Sequence, residues 1–540
     1  MKGLIMDRQL TVPAILKRAA TVFPHKEVVS QSAEGKSVCT YGELYERVLR
    51  LMDVLRGLGV KPGDRVATFA WNHHRHLELY YAIPCMGAVL HTLNLRLFPD
   101  QLSYIVNHAE DSLIFLDDSL LEPIEELAPR FKSVRGYVVM TDAPELPATT
   151  LEPAHHYEQL MARAEGREEF PEINEYDAAG LCYTSGTTGN PKGALYSHRG
   201  NYLTAMMAGM TDSFAMSERD VVLPVVPMFH ANAWSVPYNC AMLGAKLVLA
   251  GSNVQPEAVV DLMEQEQVTF AMGVPTIWTG MLQYLRESGR RIDSVRAMLV
   301  GGSAVPRSMI AAYKEEYGVR IMHAWGMTEM SPLGAVTRLS KKMEDWPEEK
   351  QLDVLAKVGV PFPCVEMRIV DGEGRDLPWD GRSPGELLVR GPAVASGYYN
   401  DPEASAEAIT GDGWFRTGDV ATIDENAMLQ ITDRTKDLIK SGGEWISSVE
   451  MENSIMACPG VLESAVVARP DERWDERPVA FVVGDGERGD LTAEAVLEFL
   501  RDKFAKWQLP ALEDIRLVEQ IPKTSVGKFD KKLLRERFGD

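Results

Sequence analysis

The stretch that decides the fold class is Thr184-Ser185-Gly186-Thr187-Thr188-Gly189-Asn190-Pro191-Lys192-Gly193. It follows the apolar run Gly180-Leu181-Cys182-Tyr183, which predicts a buried strand. Glycines allow a tight turn that presents backbone N–H groups to an anion, and the hydroxyls and Lys192 add further donors. It is not a Walker A loop, because Pro191 and Gly193 stand where that loop has glycine and serine or threonine. The segment therefore predicts a phosphate-binding loop, against the alternative of a plain surface loop.

Helix and strand patterns alternate on both sides of this loop. Thr40-Tyr41-Gly42-Glu43 has the spacing of a capping box, and apolar residues recur behind it at helical spacing as far as Gly59. Residues 65–70 then indicate a buried strand, and similar helix–strand units recur around Val248, Phe270, Leu299 and Met322. The fold class predicted is α/β, with a large N-terminal domain of parallel-type sheets wrapped by helices. Ligands of such sheets lie beyond the carboxyl ends of the strands.

The chain changes character after about Leu377. Short strand-like pieces and glycine-rich turns predict a β-rich subdomain, and the dense charged stretch Asp433-Arg434-Thr435-Lys436-Asp437 marks a domain boundary. We predict a large domain over residues 1–435. A small, mobile α/β domain is predicted over residues 436–540.

Composition and charge narrow the class of protein. The chain has 540 residues, 45% hydrophobic and 25% charged, as expected for a globular protein of at least two domains. A net charge of -22 argues against nucleic-acid binding and against attraction to anionic membranes. Six cysteines without a CxxC pair predict a reducing, cytoplasmic location. No apolar run approaches the ~20 residues of a transmembrane helix, so no integral membrane segment is expected. A peripheral contact at the membrane stays open.

The loop resembles the phosphate-loop signature of the adenylate-forming superfamily, which includes acyl-CoA synthetases, nonribosomal-peptide adenylation domains and luciferases. Further segments resemble the other motifs of that superfamily in the same order. They are Gly301-Gly302-Ser303-Ala304, then His323-Ala324-Trp325-Gly326-Met327-Thr328-Glu329, Trp414-Phe415-Arg416-Thr417-Gly418-Asp419, Asp433-Arg434-Thr435-Lys436 and Lys523-Thr524-Ser525-Val526-Gly527-Lys528. The resemblance covers residues 41–534, and it is closest to bacterial medium- and long-chain fatty acyl-CoA synthetases.

The resemblance implies a nucleotide site. Asp419 would bind the ribose hydroxyls, with Arg434 beside it and Lys440 as a further phosphate candidate. Trp325 stands where the superfamily usually has tyrosine, which keeps an aromatic plane for adenine but loses a hydroxyl. The remaining nucleotide-binding candidates are Thr184, Ser185, Gly186, Thr187, Thr188, Gly189, Lys192, Gly302, Ser303, Ala304, His323, Ala324, Gly326, Met327 and Thr328.

The reaction implied has two halves. A carboxylate attacks the α-phosphate of ATP and expels pyrophosphate, and coenzyme A thiol then takes the acyl group from the acyl-adenylate. Because both first reactants are anionic, positioning and charge neutralisation must carry the catalysis. Mg²⁺ would bridge phosphate oxygens, with Glu329 and Thr184 as its protein ligands.

The small domain would supply the remaining catalytic charge. Lys528 matches the superfamily's catalytic lysine, although residue type alone would favour a solvated lysine in a basic tail. The domain would rotate between half-reactions about Lys436. Gly442, Gly443 and Trp445 would then line the coenzyme A tunnel, against the alternative of an ordinary hairpin turn.

The acyl pocket is assigned to the segment around His230 and Trp234. In relatives a histidine at this place orients near the carboxylate, and Trp234 resembles a gate residue, with core packing as the alternative. Val274 and Gly301 complete the predicted wall. Residues 223–238 contain no Asp or Glu that could pair with an α-ammonium, which disfavours amino acids.

The expected substrate is a medium- or long-chain fatty acid, with 3-methylmercaptopropionate or an aryl acid as alternatives. A non-catalytic nucleotide-binding module is the alternative of another class, and a luciferase-like oxygenase or a carrier-protein ligase would share the motifs. Bacterial synthetases of this type are often homodimers, so a homodimer is left open.

Two charged stretches are interpreted as structural. Residues 71–78 hold three histidines, but Asn72 resembles an N-cap and a solvated helix start is expected there rather than a metal site. The acidic run from Glu344 to Glu349 is expected to be a solvated loop.

Overall fold

The computed structural model describes residues 1, 3–32, 35–166, 169–184, 190–434, 437–441, 444–471, 473–486, 491–524 and 529–538. The helices of these ranges are α1 Val12–Val22, α2 Tyr41–Gly57, α3 His74–Cys85, α4 Pro99–Ala109, α5 Leu121–Leu127, α6 Tyr157–Arg163, α7 His198–Ala208, α8 Ala231–Trp234, α9 Val236–Leu243, α10 Pro256–Glu266, α11 Pro275–Ser288, α12 Arg307–Tyr317, α13 Glu348–Ala356, α14 Pro402–Ala408, α15 Ser448–Met456, α16 Ala493–Arg501 and α17 Lys531–Phe538.

The strands of the large part of the chain are β1 Glu27–Ser32, β2 Gly35–Thr40, β3 Arg65–Phe69, β4 Val89–Thr92, β5 Leu113–Asp117, β6 Tyr137–Met140, β7 Ala154–His156, β8 Ala178–Tyr183, β9 Gly193–Ser197, β10 Val221–Pro224, β11 Lys246–Leu249, β12 Phe270–Gly273, β13 Ala297–Gly301, β14 Arg320–Gly326, β15 Leu333–Val336, β16 Val360–Pro361, β17 Glu366–Val370, β18 Gly385–Arg390, β19 Phe415–Ile423 and β20 Leu429–Arg434. Those that follow are β21 Ile439–Ser441, β22 Glu444–Ile446, β23 Val461–Asp471, β24 Asp475–Gly484 and β25 Ile515–Leu517.

Two large sheets form the N-terminal part. A nine-stranded sheet has the order β16-β15-β14-β13-β12-β10-β11-β1-β2, and its pairings from β1 through β11, β10, β12 and β13 to β14 are all parallel. A seven-stranded sheet has the order β7-β6-β5-β3-β4-β8-β9, and β9 is its antiparallel edge strand. The predicted parallel α/β fold is confirmed.

Local sequence signals decide where these elements begin. The Thr40 hydroxyl accepts from Glu43 N, and Glu43 Oε2 accepts from Thr40 N at 2.8 Å, so the predicted capping box opens α2. The four residues of β12 are all buried, as are those of β13, because helices cover both faces of this sheet. Full burial of each such apolar side chain stabilises the fold by about 1.5–3 kcal/mol.

Two smaller sheets follow, of which the first is antiparallel throughout and the second is mixed. β17, β18, β19 and β20 form a four-stranded sheet, which confirms the predicted β-rich part although it begins at Glu366, before the predicted change at Leu377. A five-stranded sheet of order β22-β21-β24-β23, with β25 paired to β24, is packed with α15, α16 and α17. Among the described residues, no helix is long and apolar enough to cross a bilayer.

A helix begins within residues 71–78 as predicted, but the prediction that its start is solvated and capped by Asn72 is wrong. His73, not Asn72, is the N-cap of α3, and His76 and Glu78 are fully buried. The Asn72 side chain donates to the carbonyl of Val226 at 2.9 Å and accepts from Met228 N at 2.7 Å. The Asn72 amide forms hydrogen bonds with the backbone that leads into the acyl segment, and it is buried between the two large sheets. It is therefore not available as a helix cap. The acidic run is exposed as predicted, but its last two residues begin α13.

Candidate active site

Four of the predicted site segments follow strands of the nine-stranded sheet, at the carboxyl ends of those strands. β10, β12, β13 and β14 are adjacent and parallel, with Pro224 in register with Met272 and Leu299 in register with Met322. Their carboxyl ends therefore lie side by side. The acyl segment, Val274, the turn 302–304 and the motif 327–329 directly follow these ends. This is the position at which open α/β sheets bind ligands.

The base of the phosphate loop is a closed hairpin between β8 and β9. Thr184 N donates to the carbonyl of Lys192 at 2.9 Å, and Lys192 N donates to Thr184 Oγ1 at 3.1 Å. The Lys192 ammonium lies 5.1 Å from the centroid of the Tyr398 ring. Five loop candidates lie outside the described residues, namely Ser185, Gly186, Thr187, Thr188 and Gly189. Phosphate binding by this loop stays a prediction.

Glu329 lies in a 3-10 turn and is buried, with 6% of its surface exposed. The Tyr398 hydroxyl donates to Glu329 Oε1 at 2.7 Å, and Ala395 N donates to the Glu329 carbonyl at 2.7 Å. Burial raises the pKa of the Glu329 carboxyl, and the bond from Tyr398 lowers it. Tyr196 of β9 donates to the Thr328 carbonyl at 2.7 Å, so the phosphate hairpin is tied to this turn.

The two predicted metal ligands have donor atoms that fit Mg²⁺ held together with a triphosphate. The carboxylate of Glu329 and the hydroxyl of Thr184 are both hard oxygen donors. Within the described part of the chain, no group of three or more His, Cys, Asp or Glu could hold a metal. Mg²⁺ needs no such cage, because it keeps water and phosphate oxygens as its remaining ligands. A cation beside Glu329 would also offset the cost of burying that charge.

The predicted ribose carboxylate is held at both oxygens. Trp325 Nε1 donates to Asp419 Oδ2 at 2.8 Å, and Arg434 Nε lies 2.7 Å from Asp419 Oδ1. Asp419 and Arg434 are direct cross-strand partners on β19 and β20. Asp419 is 1% exposed. The sequence prediction stressed the hydroxyl lost at Trp325, whereas its indole N–H supplies a donor that the sequence did not reveal.

The adenine candidates surround the end of β14. His323 is buried, and its Nδ1 donates to the Ala356 carbonyl at 2.9 Å. Burial lowers the pKa of His323 to about 4, against the hydrogen bonds with backbone carbonyls, so the ring is neutral at pH 7. Gly302 has φ 92°, and Ser303 beside it is exposed. Gly326 is required, since a Cβ there would lie 1.8 Å from the Pro332 carbonyl oxygen.

The acyl segment contains a left-handed turn. Ala231, Asn232, Ala233, Trp234 and Ser235 have φ values of 43°, 53°, 48°, 54° and 66°. Left-handed backbone costs a non-glycine residue about 1–2 kcal/mol, and such residues normally occur singly. The segment termed α8 is therefore a strained turn, held in place by the rest of the fold. Asn232 is the one residue of this stretch whose type is enriched in left-handed backbone, and a single asparagine does not predict five such residues in a row.

Trp234 and Gly301, both assigned to the acyl pocket from the sequence, lie next to each other, and their role as a pocket wall stays a prediction. A Cβ at Gly301 would lie 3.3 Å from Cη2 of Trp234 and 3.0 Å from the Ala324 carbonyl oxygen, so a larger residue would crowd the wall. Trp234 is partly buried against the core, and His230 directly precedes the strained turn. Val274 follows β12 and is the N-cap of α11.

Polar atoms around the strained turn are poorly paired. Cys182 Sγ donates to Asn232 Oδ1 at 3.3 Å. Within the described part of the chain, Asn232 Nδ2, Ser235 Oγ and both amide atoms of Asn239 are buried without a hydrogen-bond partner. Each such group costs about 1–3 kcal/mol relative to a satisfied one. Strain and unmet polar groups thus coincide in the acyl half of the site.

Several predicted residues of the small domain lie outside the described residues, namely Lys436, Gly442, Gly443 and Lys528. Trp445 pairs with Lys440 in the β21–β22 hairpin, but its side chain is also outside the description. Lys440 Nζ is 3.7 Å from Asp475 Oδ2 on a half-exposed side chain, and the described contacts do not bring it to the Asp419 cluster. The basic tail is not uniformly solvated, because Lys531 pairs with Glu452 at 2.7 Å.

Comparison with known proteins agrees with this geometry. The sequence profile described as "AMP-binding enzyme" matches residues 16–399, and the one described as "AMP-binding enzyme C-terminal domain" matches residues 450–528. These matches identify an adenylate-forming protein. The chain belongs to the AMP-binding enzyme family, which confirms the resemblance predicted from its motifs.

Similar proteins cover almost the whole chain. The long-chain-fatty-acid–CoA ligase of Thermus thermophilus is 47% identical over 538 residues, 99% of this chain and 96% of that protein. The 3-methylmercaptopropionyl-CoA ligase of Ruegeria pomeroyi is 44% identical over 542 residues, covering 100% of this chain and 99% of that protein. The solved structure of the anthranilate CoA ligase AuaEII in complex with anthranoyl-AMP has a TM-score of 0.88 at 24% identity, with 99% of both chains covered, and is similar in fold.

Proposed function

We propose that this protein is an ATP-dependent, AMP-forming acyl-CoA synthetase. The observation that carries the proposal is the meeting of two sets of groups at one sheet edge. Glu329 is paired with Tyr398, and Asp419 is paired with Trp325 and Arg434, which gives a set of polar groups suited to a nucleotide. The acyl segment from His230 to Trp234 follows β10 of the nine-stranded sheet and offers no carboxylate for an amino acid.

In the first half-reaction a carboxylate oxygen of the acid forms a bond to the α-phosphorus, and the bond to pyrophosphate breaks. Asp419 fixes the ribose and the hairpin at Thr184 positions the phosphate loop. Glu329 and Thr184 would hold Mg²⁺, which neutralises phosphate charge when bound. His230 would orient the acid, and Lys528 would supply positive charge at the α-phosphate. Preorganised charge of this kind acts without reorganisation during the reaction.

In the second half-reaction the thiol of coenzyme A attacks the acyl carbon and AMP leaves. Lys528 must first withdraw, which the superfamily achieves by rotating the small domain about Lys436. A domain boundary after residue 435 is supported by β20 ending at Arg434 and a separate sheet beginning at Ile439. Gly442, Gly443 and Trp445 would then line the pantetheine tunnel.

A medium- or long-chain fatty acid is the proposed substrate. The wall formed by Trp234, Gly301 and Val274 is apolar, which suits an alkyl chain. Trp278, which follows Val274, is fully buried in the core and belongs to the framework rather than to the pocket. A short thioether acid is the second candidate, favoured by the 44% identity to a 3-methylmercaptopropionyl-CoA ligase.

A cytoplasmic location is part of the proposal and is supported by six free cysteines, of which Cys364 is exposed. A homodimer stays a prediction, and light scattering of the purified protein measures it directly.

The testing experiment supplies ATP, Mg²⁺ and coenzyme A with acids from propionate to palmitate, 3-methylmercaptopropionate and aryl acids. AMP and thioester are measured together. Equal amounts of both with one acid class support the proposal and fix the substrate. AMP without thioester indicates that the acceptor is a carrier protein. If no acid yields AMP, the proposed enzyme activity is contradicted and a nucleotide-binding module is favoured.

A further inference from the structure

One hydrogen bond joins the proposed adenine wall to the proposed ribose carboxylate. Trp325 lies on β14 of the nine-stranded sheet, and Asp419 lies on β19 of the four-stranded sheet. The indole Nε1 donates to Asp419 Oδ2 at 2.8 Å across a separation of 94 residues. Two surfaces that would contact different parts of one nucleotide are therefore held in fixed relation by this bond.

The carboxylate of Asp419 is fixed in its plane. Its backbone N–H donates to Thr417 Oγ1 at 3.1 Å, which anchors the main chain. Oδ2 accepts from Trp325, and Oδ1 is 2.7 Å from Arg434 Nε. An ionised carboxylate has about four lone-pair directions. Beyond these two bonds each oxygen therefore keeps a further acceptor direction, which is the number of acceptors that two neighbouring hydroxyls need.

The indole ring is also fixed. A Cβ at Gly334 would lie 2.5 Å from Cε3 and Cζ3 of Trp325, so the ring rests directly on the backbone of β15. The ring also packs against the apolar cluster formed by the four-stranded sheet. Because the ring cannot tilt toward Gly334, its N–H direction is set by packing and not by Asp419 alone.

We infer that Trp325 is a positioning residue for ribose recognition, because its indole N–H holds Asp419 in the orientation that accepts the 2′- and 3′-hydroxyls together. The inference rests on the proposed function, in which Asp419 binds ribose. It assigns to Trp325 a role beyond an aromatic surface for adenine.

The test measures nucleotide affinity by calorimetry for ATP, 2′-deoxy-ATP and 3′-deoxy-ATP, without acid or coenzyme A. The variants are Trp325→Phe and replacement of Trp325 by β-(3-benzothienyl)alanine, which keeps the ring size but has sulfur in place of the N–H. Trp379→Phe is the matched control, because Trp379 is 43% exposed. Circular dichroism establishes that each variant is folded, and the benzothienyl protein keeps the test decisive if Trp325→Phe unfolds.

Loss of a hydrogen bond to a charged group weakens binding by about 10- to 100-fold. Both Trp325 variants should weaken ATP binding by at least about 10-fold and the two deoxy nucleotides clearly less, so that the preference for ATP falls. Equal weakening of all three nucleotides, or no weakening, overturns the inference. Wild-type protein that binds none of the nucleotides contradicts the proposed function itself, which keeps the two failures distinct.

Discussion

The proposed nucleotide half and the proposed acyl half of the site are built in opposite ways. In the proposed nucleotide half, Glu329 and Asp419 are paired with donors from other elements, and the hairpin at Thr184 is closed by two hydrogen bonds. In the proposed acyl half, five consecutive residues are left-handed and several buried polar atoms lack partners within the described chain. The difference indicates that the proposed ATP site is rigid, whereas the proposed wall of the acid site stores backbone strain.

Removing charge from the nucleotide half should have the largest effect. Lys528→Ala is expected to slow adenylation by about 10²- to 10³-fold, since one preorganised group at a developing charge contributes that much. Acid-dependent exchange of pyrophosphate into ATP measures adenylation. Thioester formation from supplied acyl-adenylate should change little.

Lys532→Ala is the control, because the Lys532 side chain is 65% exposed in the same basic tail. Equal loss in both half-reactions would contradict the assignment of Lys528. Unchanged adenylation in Lys528→Ala would support the alternative that Lys528 is a solvated lysine.

Trp234→Ala should lower the activity with the acid without changing the affinity for ATP. Truncating one apolar wall of a pocket changes the discrimination between acid substrates by about 1–3 kcal/mol. The kcat/KM for the preferred acid should therefore fall by about 10-fold or more. The Kd for ATP should stay within about twofold of the wild-type value. If both quantities fall together, the two halves are not separable and the comparison fails.

Buried His323 predicts an acid-sensitive frame for the nucleotide. Its folded-state pKa of about 4 lies below the ordinary 6.5, so the unfolded chain binds the proton first as the pH falls. The contribution of His323 to the free energy of unfolding is therefore fully present above about pH 6.5. It declines as the pH falls toward about 4, by about 3 kcal/mol in total. In His323→Asn, the fall of Tm between pH 7 and pH 5 should be smaller than in wild type. An equal fall would show that other groups carry the acid sensitivity.

The smallest effect concerns strain in the acyl turn. Ala231 has φ 43°, where glycine is unstrained, so Ala231→Gly should not destabilise the protein. Ala312→Gly, in the right-handed helix α12, should cost about 1 kcal/mol. By calorimetry, Ala231→Gly should therefore have a higher Tm than Ala312→Gly, by the equivalent of about 1–2 kcal/mol of stability. The reverse order would mean that the turn is not left-handed in solution.

The halves also differ in how far the sequence predicted them. Apolar runs predicted the strands that end at Tyr183 and Gly301, and motif order predicted the nucleotide candidates, because such signals are local. The bond between Tyr398 and Glu329 spans 69 residues, and the one between Trp325 and Asp419 spans 94. Pairings of this kind depend on how sheets pack, which no local pattern carries.

The acyl turn was unpredictable for a different reason. Its residues include two alanines and a tryptophan, and none of these types marks left-handed backbone in the way that glycine does. Asn72 was misassigned for a similar reason, because an asparagine before a helical pattern resembles a cap whether or not its amide is engaged elsewhere.

The central claim is that the acid is activated through an acyl-adenylate. Acid labelled with ¹⁸O in its carboxylate, turned over with ATP and coenzyme A, tests it most directly by mass spectrometry of the products. If the carboxylate oxygen attacks the α-phosphorus and the thiol then displaces AMP, each AMP formed carries one labelled oxygen. AMP without label, with the heavy oxygen in pyrophosphate or phosphate instead, would contradict the account.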